Sequence, residues 1–161
     1  MKQIAPEIFI EKLKLRPHPE GGYYSELYRS QKSFANNGIT RPLSTSIYFL
    51  LKSGQVSKLH QLTSDEIWYY HSGSALTLVM IDNDGVVKEE VLGSDIENGE
   101  HPQILIEAGT IFGATIKEEN SYTLMGCSVS PGFDFRDFKL FGRDELLSIY
   151  PQQKELIEKL T

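Results

Sequence analysis

The residues with most capacity for chemistry lie within GQVSKLHQLTSDEIWYYHSG, residues 54–73. His60 is followed six positions later by Glu66, Gly54 stands six positions before it, and Gly73 closes the run. An imidazole and a carboxylate can act as a base and its orienting group, or offer nitrogen and oxygen donors to a divalent metal. Residues i and i+2 of a strand face the same way, so His60 is expected to share a side with Lys58 and Leu62. A turn at Thr63-Ser64-Asp65 would bring Glu66 onto the adjacent strand near His60, with Trp68 and Tyr70 on the side of Glu66. His71 then falls on the opposite side. The pair is expected in a pocket with aromatic walls, which suits a planar or sugar-like small molecule. Tyr48, on the preceding strand, is a further lining candidate, with the phase of that strand left open.

Those residues need a scaffold, and the pattern around them is one of strands. Tyr23–Arg29, Ser44–Leu51, Val56–Leu62, Ile67–His71, Ala75–Ile81 and Val86–Leu92 read as strands. Gln103–Ile106, Thr110–Ile116 and Tyr122–Val129 complete the set. Ser53-Gly54, Ser72-Gly73 and Asn83-Asp84-Gly85 are turn signals between them. The middle of the chain has no helix that could cross between parallel strands, so an all-β antiparallel sandwich or barrel is expected. Helical patterns stand at the ends. Residues 4–15 are stopped by Pro17 and Pro19, and residues 142–148 and 151–160 form the C-terminal pair. These end helices are expected to cover a barrel mouth or a sheet edge.

Composition narrows the function classes. The chain has 161 residues, read as a single domain over 1–161, with 40% hydrophobic and 24% charged residues. Its formal net charge is −6, which argues against nucleic acid or an anionic membrane as partner. The one cysteine, Cys127, excludes an internal disulfide and makes cytoplasmic residence the expectation. The start MKQIAPE carries no long apolar stretch and is not a secretory signal. No apolar run approaches the length of a membrane-spanning helix.

The Gly54–His60–Glu66–Gly73 spacing resembles the first motif of the cupin superfamily, in which a second His usually stands where this chain has Leu62. The second cupin motif is weaker. Gly109 in EAGTIF aligns with its Gly, and Phe112 stands where the fourth metal-binding His is usual. HPEGGYY (18–24), SDEIWYYHSG (64–73) and SVSPGFDFRDF (128–138) together resemble one single-domain cupin family of unknown function, over about residues 7–145. The resemblance implies a double-stranded β-helix, the cupin jelly-roll barrel, with short N- and C-terminal helices, and a homodimer. It implies no established reaction. With two of the four usual ligands replaced, the expectation is no cofactor or a weakly held divalent metal at His60 and Glu66. Phe112 is expected to face the pocket if the motif alignment holds.

The resulting expectation is a small-molecule-binding cupin, with the ligand near His60 and Glu66 as candidate catalytic residues. Tyr48, Lys58, Trp68, Tyr70 and Phe112 are its candidate lining. The alternatives are a metal-independent isomerase of the sugar-nucleotide epimerase kind, with His60 as base, and a metal-dependent cupin enzyme. His18 and Glu20, beside Gly21 and Gly22, read as shaping a turn, while Glu20 or Tyr23 could also reach a pocket. Phe133 and Phe135 read as covering the barrel, and Cys127 as a small buried residue.

Overall fold

The computed structural model describes residues 4–36 and 39–161, with the side chain of residue 36 outside the description. In chain order the elements are α1 (Pro6–Lys12), β1 (Arg16–Pro17), β2 (Tyr23–Arg29), β3 (Ser33–Asn36), β4 (Ile39–Pro42), β5 (Thr45–Lys52) and β6 (Val56–Gln61). They continue with β7 (Asp65–Gly73), β8 (Leu76–Ile81), β9 (Val87–Leu92), β10 (Gln103–Ile106), β11 (Ile111–Ile116), β12 (Tyr122–Ser130), β13 (Lys139–Leu140), α2 (Arg143–Ile149) and α3 (Lys154–Lys159).

Two antiparallel sheets make the body. The first runs β1-β2-β5-β12-β7-β10 and the second β13-β6-β11-β8-β9. This mostly-β architecture with short end helices is a jelly roll. Its inner layer is apolar and aromatic, with Phe49, Trp68, Met80, Ile104, Phe112 and Met125 packed between the sheets.

The end helices pack on the outer faces of the sheets, and the C-terminal pair also covers an edge, where Leu59 of β6 donates its N–H to the Leu160 carbonyl at 2.9 Å. Phe141 with Leu146, Ile157 and Leu160 packs on Leu59, Val79, Ile81 and Ile111, outside the second sheet. At the other end, Phe9, Ile10, Leu13 and Leu15 sit on Leu50 and Leu124, outside the first. Burial of both faces explains why Phe49, Leu50 and Leu51 are consecutive buried residues instead of alternating ones. The first helix is shorter than its pattern because Lys14 adopts φ 53°, ending it before the prolines. Residues 30–43 gave no element in the sequence; here the β2–β5 ribbon continues into the β3–β4 hairpin through Ser30 N–H to Ser44 O and Leu43 N–H to Lys32 O, each 2.9 Å. No helix of the described residues is long and apolar enough to cross a membrane.

Candidate functional site

A cavity of about 430 Å³ lies against the inner face of the first sheet. Strand alternation sets its wall. Phe49 and Ile47 of β5, Cys127 and Val129 of β12, and Glu66 and Trp68 of β7 all face it. Phe49 pointing in means that Tyr48 points out, and it does: Tyr48 packs with the α1 cluster and lies 6.2 Å from the ring of His71. Tyr48 is therefore not a lining residue. Tyr70 is not one either. It stays on the inner face with Glu66 and Trp68 but packs beyond the cavity against the inner core, and its hydroxyl donates to the Gly73 carbonyl at 2.6 Å.

On β6 the simple alternation fails at one point. The β6–β11 register slips between Phe112, opposite His60, and Ala114, opposite Ser57. One extra residue in β6 makes a bulge, which changes the facing of the strand. Gly113 permits it, since a Cβ there would lie 2.7 Å from the Ser57 carbonyl oxygen. Ser57, not Lys58, therefore shares the side of His60. Lys58 contributes its main chain only: its N–H donates to the Glu20 carbonyl (2.8 Å), and its carbonyl accepts from His60 Nδ1 (2.7 Å). Leu62 lines the cavity, whereas Phe112 is a buried core residue pressed against the His60 ring at 4.0 Å.

The carboxylate that engages His60 is Glu20. Its Oε2 lies 3.3 Å from His60 Nε2 and 3.3 Å from His18 Nδ1, while Oε1 accepts from Ser57 Oγ at 2.7 Å. The HPEGGYY turn delivers Glu20 to this position. Gly21, at φ 118°, lies so close to β6 that any Cβ would collide with the Val56 carbonyl oxygen. His18 Nδ1 also receives the Glu20 backbone N–H at 3.4 Å. That contact needs a bare nitrogen, while the carboxylate contact needs a protonated one, so the two ask for opposite states. His60 Nδ1 faces a carbonyl and must carry a proton; its Nε2 bonds to Glu20 only with one further proton between them.

Two buried carboxyls thus face one cavity in opposite condition. Burial pushes Glu20 up, but attraction to His60 and the contacts of His18 and Ser57 outweigh it, leaving Glu20 below the usual carboxylate range. Glu66 is pushed up to about 8, by burial first and then by the charge of Glu20. Trp68 and Cys127 next to it oppose that rise, though Trp68 Nε1 completes no hydrogen bond among the described residues. Burial together with Glu66 and Glu20 also pushes the Cys127 thiol up, so it stays protonated. Near neutral pH the cavity offers one carboxylate as acceptor and one carboxylic acid as donor.

Phe133, Phe135 and Phe138 close the cavity on the side of residues 131–138, and the His18 ring contacts Phe135 (6.2 Å, stacked) and Phe138 (5.8 Å). Arg41 holds this segment by a two-pronged pair with Asp137 (2.5 and 2.7 Å), and the Phe133 N–H donates to Thr45 Oγ1. Of the residues that the sequence left open, Glu20 and His18 reach the cavity, while Tyr23 packs with the α1 cluster and its neighbour Tyr24 lines the cavity instead. Phe138 had no signal in the sequence. The double glycine after Glu20 was the usable sign for the turn.

The cupin resemblance implies a metal, and these residues do not fit one. Positions 62 and 112 are apolar walls, and both ring nitrogens of His60 are engaged, by a carbonyl and by Glu20. Among the described residues no group of three or more His, Cys, Asp or Glu is placed to hold a metal ion.

Two facing sheets with a pocket against the inner layer define a jelly-roll protein. The family model described as the cupin superfamily (DUF985) matches residues 7–141, and the chain belongs to that family. It is 33% identical over 158 residues to the uncharacterized protein YML079W of Saccharomyces cerevisiae, covering 88% of this chain and 78% of the yeast one. The solved structure of protein SO0799 from Shewanella oneidensis superposes with a TM-score of 0.93 at 45% identity, over 99% of this chain and 98% of that one. A variant of Bacillus subtilis oxalate decarboxylase matches with a TM-score of 0.58 at 16% identity, over 91% of this chain and 37% of that one, a likeness of fold alone.

Proposed function

We propose that this cupin binds a small organic molecule in the cavity between Trp68 and Phe138, over Glu20, His60 and Glu66. One observation carries the reading: a cavity of about 430 Å³, the size of a small-ligand pocket, has aromatic walls and buried polar groups. The aromatic rings supply contact area, and the two carboxyls supply one acceptor and one donor that select a hydrogen-bonding pattern. A thermal-shift screen of small molecules, followed by calorimetry, tests this. Compounds are expected whose affinity falls at least about tenfold in His60→Ala, and also in Leu62→Trp, which fills cavity space while leaving the polar groups in the chain. Absence of any binding compound class, or hits that bind both variants like the parent, would overturn it.

The opposite condition of Glu20 and Glu66 favours a second reading, a metal-independent isomerase. In it Glu66 gives a proton and the Glu20 carboxylate, oriented by His60, removes one from a carbon next to a carbonyl, since both His60 nitrogens are engaged. Solvent deuterium entering a keto-sugar substrate would support it, and exchange no faster than in Glu66→Gln would sink it.

A further inference from the structure

One charged side chain of the cavity lining has no ion partner among the described residues. Arg29 is matched by Glu26, whose Oε1 and Oε2 both accept from it at 3.0 and 2.6 Å. Asp134 is matched by Arg136 at 2.6 Å, and the Glu20 carboxylate accepts from Ser57 and lies 3.3 Å from both His18 and His60. Glu66, held up near 8, keeps its proton at neutral pH. Arg16 also lines the cavity, on the exposed strand β1, yet makes no ion pair among the described residues. Its guanidinium lies 5.0 Å from the centre of the Tyr24 ring, and Tyr24 meets His18 edge-on at 4.6 Å. The cation is thus stacked on the first ring of the aromatic path that leads to Glu20, with no side-chain hydrogen bond from it among the described residues. A guanidinium in that state is a ready partner for a planar anionic group.

We propose that Arg16 forms an anion subsite at the cavity mouth, so that the ligand is a flat apolar molecule carrying a carboxylate or phosphate. This rests on the reading of the cavity as a ligand site. The anionic head pairs with Arg16, while the apolar body lies among Tyr24, Phe49, Trp68 and Phe138. The formal net charge of −6 does not oppose this, because Arg16 itself stands on Tyr24 without an acidic partner among the described residues.

The test uses three probes of one shape: 2-naphthoate, 2-naphthyl phosphate and neutral 2-naphthamide. Each is titrated calorimetrically into the parent protein and Arg16→Gln at low salt. At least one anion should bind on the order of fivefold or more tightly than the amide, the upper range for a partly exposed pair. Arg16→Gln should reduce that preference to below about twofold. Which anion leads distinguishes a carboxylate ligand from a phosphate one. Equal binding of amide and anions, or a preference that survives in Arg16→Gln, overturns the subsite and leaves the cavity reading intact. If none of the three binds while the broad screen yields a cavity ligand of another kind, the subsite falls alone; if the screen is empty too, both fall.

Discussion

Replacing Glu66 by Gln should change how the stability of this protein depends on pH. Glu66 is buried, and its carboxyl is pushed up from 4.5 to about 8. Between those values the unfolded chain releases the Glu66 proton while the folded chain keeps it. The unfolded state therefore binds fewer protons, and stability falls as pH rises through this window. The gap is 8 − 4.5 = 3.5, which at about 1.36 kcal/mol per pH unit gives about 5 kcal/mol. Gln keeps the shape and does not titrate, so Glu66→Gln lacks this slope. Urea unfolding of both proteins from pH 4.5 to 8.5 isolates the effect, because the other titrating groups are shared. The variant should gain on the parent by about 3–5 kcal/mol as the pH rises, most of it between pH 5 and 8. Parallel curves, within about 0.5 kcal/mol, would mean that Glu66 is ionised in the folded protein at neutral pH, and the donor–acceptor account of the cavity would be wrong.

Other substitutions test the scaffold. Phe112→Ala removes a buried ring from the core and from the face of His60, and should cost about 3–5 kcal/mol in urea unfolding. Gly21→Ala forces a Cβ into the Val56 carbonyl at positive φ, and should lower the melting temperature sharply while Gly54→Ala, with open space around it, is milder. Arg41→Ala frees Asp137, so limited proteolysis should cut within residues 131–138 sooner than in the parent. Ser57→Ala should weaken any cavity ligand more than Lys58→Ala does, because of the two side chains only that of Ser57 bonds the Glu20 carboxylate; calorimetry with a hit from the screen decides between them. Dialysis against a chelator should leave the melting temperature unchanged, since no metal is expected to hold His60 and Glu66 together.

Strands and turns were readable because alternation and Asp-Gly or Ser-Gly pairs are local signals. The facing of Trp68 followed from Glu66 by the same rule. Where the expectations failed, the cause was not local. Lys58 was exchanged for Ser57 by a bulge that depends on Gly113 of the paired strand. Tyr70 kept the facing expected but lay beyond the cavity, among the inner core, and Tyr48 faced outward because α1 covers that face of the sheet. Glu20 is the clearest case. It sits forty residues before His60 and reaches it only because Gly21 packs on Val56 and Lys58 N–H ties the Glu20 carbonyl to β6. Spacing along the chain cannot show such a contact.

The most direct test of the account is a crystal structure of the protein with the tightest compound from the screen. The compound should lie between Trp68 and Phe138, with a polar atom within hydrogen-bonding distance of Glu66 or of the Glu20–His60 pair. Density for the compound elsewhere on the surface, with the cavity holding only water, would contradict it.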